Sequence, residues 1–163
     1  EVLAGADGPA LAAHLRALDA ARRPAGPAGD VDRALDAFHD AAAVGDEDRY
    51  FALLPDDAVF LGTDATERWT GAEFRAFAAP YFERPSAWTY VPLERHVTVA
   101  PGGAVAWFDE ALDHASYGAC RGSGVLVRRD GAWVLQQYNL TVPVPNELMG
   151  DTARRIRAWS ERR

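Results

Sequence analysis

The chain has 163 residues, 17 basic against 24 acidic, giving a net charge of −7, with four histidines and one cysteine. That length suits one domain; 48% hydrophobic and 25% charged residues mark a globule rather than a disordered chain, and the acidic balance argues against a nucleic-acid partner. The lone Cys120 excludes an internal disulfide and a cysteine-based zinc cluster, and no apolar run approaches the ~18–20 residues of a membrane span.

Asp7-Gly8-Pro9 opens a predicted helix to about Arg23, with Leu11, Leu15 and Leu18 on one stripe. Residues 24–29, rich in Pro and Gly, read as a linker. Asp30 is the expected cap of a second helix, in which Val31, Leu35, Phe38 and Ala42 recur at helical spacing. Gly45 ends it, and Asp46-Glu47-Asp48 starts a short third helix carrying Tyr50, Leu53 and Leu54. A strand, Ala58–Leu61, precedes a ten-residue polar loop from Gly62 to Gly71, and a further helix runs from about Ala72 to Tyr81. Four long antiparallel strands follow over 88–100, 104–112, 117–129 and 132–142, with turns at Pro101-Gly-Gly103 and Asp130-Gly131. The tail from Asp151 to Arg163 reads as a basic helix.

Helices first and hairpin-linked strands afterwards is an α+β order. A strongly curved antiparallel sheet wrapped around the N-terminal helices leaves a cone with an internal cavity, a common kind of small-molecule site. The expected division is an N-terminal helix and linker (1–29), the cone domain (30–146) and a C-terminal basic helix (147–163). Three stretches carry a family likeness: Phe38-His-Asp-Ala41 with Asp57-Ala-Val-Phe-Leu-Gly62, Ala106-Trp-Phe-Asp-Glu110 feeding Arg121-Gly-Ser-Gly-Val125, and Asp130 to Thr141 ending at Pro145-Asn146. Over about 31–146 the chain resembles the SnoaL-like branch of the nuclear transport factor 2-like superfamily. The resemblance implies the cone fold. The superfamily spans isomerases, epoxide hydrolases, dehydratases, polyketide cyclases and plain binding modules, so it implies a small-molecule pocket without naming a reaction.

Alternation along the strand at 104–112 puts Val105, Trp107 and Asp109 on one face and Ala106, Phe108 and Glu110 on the other. One of the two carboxylates, Asp109 or Glu110, therefore points inward, and one residue of register decides which. Buried in an apolar cavity, it would serve as a general acid/base, with Arg121, Gln137 and Asn139 orienting a substrate oxygen. The structural alternative is an ion pair with Arg121. Trp107 and Trp133 are placed at the cavity wall, and Phe38 lies on the helix that lines it. Related cone-fold enzymes often carry a histidine in the last strand; Gln137 and Asn139 stand near that place here.

Asp64 and Trp69, with Glu67 and Arg68, form a second candidate group at the cavity rim. Thr63/Asp64 ahead of Glu67 and Thr70 ahead of Glu73 can equally be local caps. His114 reads as a solvated hairpin residue and Cys120 as an inert core thiol. The expected function is therefore a small-molecule domain working on an apolar substrate by acid/base chemistry, with neither metal nor organic cofactor. The alternative is a non-catalytic ligand-binding or dimerisation module. A homodimer through the outer sheet face is expected, with no nucleic-acid partner. The expected compartment is the cytoplasm, or the exterior had a signal peptide preceded Glu1.

Overall fold

A computed structural model describes residues 25–162; the helix expected over 7–23 lies outside them. The first described helix, α1, spans Pro27–Ala43 and so begins inside the stretch read as linker. Gly26 takes a φ of +95° and Pro27 enters the first helical turn, where its fixed φ fits and its missing N–H costs nothing. Asp30 is consequently a first-turn residue paired with Arg33 rather than the cap. The stripe Val31, Leu35, Phe38 and Ala42 is buried as its spacing requires.

Gly45 separates α1 from α2 (Glu47–Leu53) at a φ of +69°, and a Cβ there would sit 2.6 Å from the Arg84 carbonyl oxygen. Asp46 caps α2 by accepting the Arg49 N–H at 3.1 Å. Strand β1 (Val59–Leu61) then pairs antiparallel with β2 (Arg68–Thr70). The polar loop expected over 62–71 thus ends in a strand, closed at its base by the Gly62 N–H donating to the Glu67 carbonyl at 2.9 Å. Thr70 and Glu73 form a reciprocal capping box that starts α3 (Gly71–Phe82).

The long strands are β3 (Val91–Val99), β4 (Val105–His114), β5 (Gly118–Arg129) and β6 (Ala132–Thr141). All six strands form one curved, open sheet in the order β2-β1-β6-β5-β4-β3, with β1 parallel to β6 and every other pair antiparallel. Helices α1 to α3 fill its concave face, where Leu35, Tyr50 and Leu54 meet Phe108, Leu126 and Leu135 in one core. Helix α4 (Asn146–Ser160) starts five residues earlier than expected and buries no side chain. Among the described residues no helix is long and apolar enough to cross a membrane.

One irregularity controls the rest. Along β5 and β6, Val125 pairs with Gln137 but Leu126 pairs with Leu135, so Gln136 is the extra residue of a β-bulge. Trp133 and Leu135 face inward before it, and Tyr138 and Leu140 face inward after it. The bulge is fastened from outside: Arg129 grips Asp57 through two bonds of 2.8 Å and also bonds the Gln136 side chain, whose Nε2 donates to the Asp57 carbonyl at 3.1 Å.

Candidate functional site

The register of β4 answers the question the sequence left open. Ala106, Phe108, Glu110 and Leu112 face the helices, while Val105, Trp107, Asp109 and Ala111 face outward. Glu110 is only 1% exposed. Directly across on β3 stands Arg95, whose Nε donates to Glu110 Oε2 at 2.8 Å. Nη2 also lies 2.8 Å from Oε2, off hydrogen-bond alignment, so it is paired by charge alone. The other oxygen, Oε1, accepts from Tyr138 Oη at 3.1 Å and lies 2.7 Å from His39 Nε2. An ionised carboxylate only accepts, so that histidine nitrogen carries the proton. Arg95 continues to α1, where Nη1 donates to Asp36 Oδ1 at 2.8 Å and to Asp32 Oδ1 at 3.3 Å.

This network exists because Gly122 lies opposite Glu110 on β5. A Cβ there would stand 2.5 Å from Tyr138 Oη and 2.6 Å from Glu110 Oε1. Burial pushes the Glu110 carboxyl up, but the charges and hydrogen bonds of His39 and Arg95 outweigh it and hold the group down at about 2. The direction is opposite to the one that desolvation alone would give. Burial, then the Glu110 charge, pushes the Tyr138 phenol up, so it stays a neutral donor.

The other expected site residues divide sharply. Asp109 and Trp107 are on the outer face, Trp107 48% exposed, because alternation from Glu110 leaves them no other side. Arg121 is exposed opposite Ala111, out of reach of Glu110; the arginine that reaches that carboxylate comes from β3 instead. Gln137 and Asn139 also leave the cavity side, because the Gln136 bulge reverses the alternation that had grouped them with Trp133. Phe38 is core, stacked on Tyr50 at 4.2 Å. Asp64 makes a local turn, its Oδ1 accepting the Thr66 N–H at 2.8 Å and the Thr66 hydroxyl at 2.6 Å.

Of the expected site residues, Trp69 and its group neighbour Glu67 line a cleft on the described part of the fold. This cleft, about 240 Å³, is separate from the Glu110 network, none of whose side chains lines it. Its walls are rings: Trp69, Phe77, Tyr81 and Trp88, with Tyr90 and Tyr117 from the residues just before β3 and β5. Trp69 stacks on Phe77 with centroids 5.0 Å apart. Its polar lining residues are Thr63, Glu67 and His114, besides the tyrosines.

His114 is half-exposed, and its ring is held in place. Its ring lies 4.6 Å from both Tyr90 and Tyr117, and Nδ1 accepts the Ser116 and Tyr117 N–H groups at 3.2 and 3.3 Å. Accepting at Nδ1 leaves the proton on Nε2, which has no protein partner among the described residues. Burial pushes its pKa down against the opposing pull of Asp113, keeping the ring neutral near pH 7. Glu67 folds over Gly62 and accepts the Asp64 N–H through Oε2 at 3.1 Å. Among the described residues no three His, Cys, Asp or Glu side chains group as metal ligands.

Sequence reasoning missed Arg95 and Tyr138, gave His39 an edge position on the cavity-lining helix, and read His114 as a solvated hairpin residue. Arg95 did carry a signal, since it alternates with Val97 and Val99 on one strand face. His114 carried none, because its two ring neighbours approach from another strand and from the turn that follows it.

The fold has many solved neighbours. An NTF2-like protein of unknown function from Pseudomonas putida superposes with a TM-score of 0.61 at 14% identity, over 77% of this chain and 93% of that one. A protein of unknown function from Pectobacterium atrosepticum gives 0.61 at 21% identity, covering 74% and 94%. A candidate aromatic ring hydroxylase from Novosphingobium aromaticivorans gives 0.61 at 19% identity, covering 76% and 94%. No curated protein matches the chain. At these identities the structural neighbours establish the fold alone, but the SnoaL-like domain model matches residues 31–145, most of the chain, and the protein belongs to that family, a branch of the NTF2-like superfamily.

Proposed function

We propose that the domain binds a small, ring-bearing, largely apolar molecule in the cleft between α3 and the β4–β5 turn. The aromatic walls carry this reading. Rings bury large apolar area with little rotamer freedom to lose, and stacked or edge contacts add about 0.5–1.5 kcal/mol each. A volume of about 240 Å³ is at the small end for a ligand site, so the ligand is compact. His114 Nε2–H supplies a donor and Glu67 an acceptor. Any acid/base step in the cleft falls to these two groups. Asp109 lies outside, and Glu110, held ionised at about 2, is a weak base locked in four-way contact.

Thermal unfolding against a panel of compact aromatics tests the reading. A ligand at ~100 times its dissociation constant adds about 2.7 kcal/mol, raising the midpoint by roughly 5–10 °C. Trp69→Ala should abolish that rise. A rise that survives in the variant moves the site elsewhere.

A second reading concerns assembly. Trp107 and Val105 stand 48% and 38% exposed on the outer face of β4, an apolar patch suited to a homodimer through the sheet. Trp107→Glu should convert a dimer to a monomer in light scattering; a monomeric wild-type chain removes this reading.

A further inference from the structure

Resting on the cleft reading above, we infer that its ligand is an organic cation, a quaternary or protonated amine on a compact apolar body, with Glu67 as its counter-ion. Among the described lining residues Glu67 is the only formally charged side chain, and it is negative. Among the described residues no arginine lines the cleft. An anionic ligand would meet a carboxylate with no cation among the described lining residues to offset it, whereas a cationic one would be paired by it.

The carboxylate is built into place. The Asp64 N–H holds Oε2 at 3.1 Å, and the absence of a side chain at Gly62 makes the room, since a Cβ there would lie 2.2 Å from that oxygen. Oε1 has no protein partner among the described residues and remains free for a ligand. The same cleft is lined by the rings of Trp69, Phe77, Tyr81 and Trp88. Ring faces carry negative quadrupole charge, and aromatic cages of this kind recognise quaternary ammonium ligands. One of these rings already takes a cation: the Arg84 guanidinium lies 5.0 Å from the Tyr81 ring centroid. His114, neutral and donating from Nε2, adds no competing positive charge.

The test titrates the intact chain with phenyltrimethylammonium, its neutral carbon isostere tert-butylbenzene, and the anion benzenesulfonate. Calorimetry and tryptophan fluorescence report binding, since Trp69 and Trp88 line the cleft. The cation should bind about tenfold or more tightly than tert-butylbenzene, and benzenesulfonate should show no saturable binding. Glu67→Gln keeps an oxygen to accept the Asp64 N–H, so the loop should fold. That variant should lose about tenfold in affinity for the cation and none for tert-butylbenzene, with its thermal midpoint unchanged. If tert-butylbenzene or benzenesulfonate binds as tightly as the cation, or Glu67→Gln leaves the cation's affinity intact, the inference falls while the cleft remains a binding site. If none of the three binds, the inference and the reading it rests on fall together.

Discussion

Glu110→Gln isolates the buried network from the cleft. The substitution keeps the shape of the side chain and an oxygen for Tyr138, but removes the charge that Arg95 and His39 face. Folding lowers the carboxyl from its ordinary 4.5 to about 2. At 1.36 kcal/mol per tenfold step this is worth about 3 kcal/mol of stability. Because the folded value is the lower one, that contribution is complete above pH 4.5 and is lost as pH falls toward 2. The variant should therefore unfold about 3 kcal/mol more easily at pH 7, roughly 6–12 °C lower in midpoint for a chain of this length. The gap should narrow steadily between pH 4.5 and pH 3 in urea titrations. Affinity for a cleft ligand should not change, since Glu110 does not line the cleft. A gap under about 0.5 kcal/mol at pH 7, or one that stays constant into acid, would refute the reasoning.

Gly122→Ala should destabilise the chain by about 1–3 kcal/mol through overlap with Tyr138 and Glu110, read as a shift of the urea midpoint; an unchanged midpoint would mean that the network has slack. Deleting Gln136 should leave Tyr138 and Leu140 facing inward, because removing the extra residue restores simple alternation from Leu135 onward, and should lower the urea midpoint only through loss of the clasp to Asp57 and Arg129. A deletion variant that loses cooperative unfolding would show that the bulge itself, and not only its clasp, holds β6 in place. His114→Phe preserves stacking on Tyr90 and Tyr117 but removes the Nε2–H donor. It should weaken a ligand carrying an acceptor oxygen by about tenfold and leave a hydrocarbon unaffected, measured by calorimetry.

Much of the architecture was legible because it depends on short-range pattern. Four- and three-residue spacing placed Val31, Leu35 and Phe38 on the buried stripe of α1, and Asp46 announced the start of α2. Two-residue alternation confined the choice at 109–110 to a single inward carboxylate. The turns at Gly102-Gly103 and Asp130-Gly131 hold positive φ, the conformation those residues were read to supply. The Thr70–Glu73 box follows from local spacing as well.

The site residues were less legible because each depends on partners distant in the chain. Trp69 reaches the cleft because β2 pairs with β1 and α3 packs beside it. Arg95, rather than Arg121, pairs with Glu110 because β3 is the neighbour that places a cation on the inner face of that register. Gln137 and Asn139 were lost to the outer face through one extra residue, Gln136, held by Asp57 and Arg129 from 79 and seven positions away. Periodicity of helices and strands, caps and turns are set by bonds spanning a few residues, so the sequence by itself determined the helices from α1 on, the long strands and the α+β order, but not β2, which exists only by pairing with β1. Strand register, the bulge and the convergence of Glu67, His114 and the ring walls depend on packing between segments far apart in the chain, and only the tertiary structure decided them.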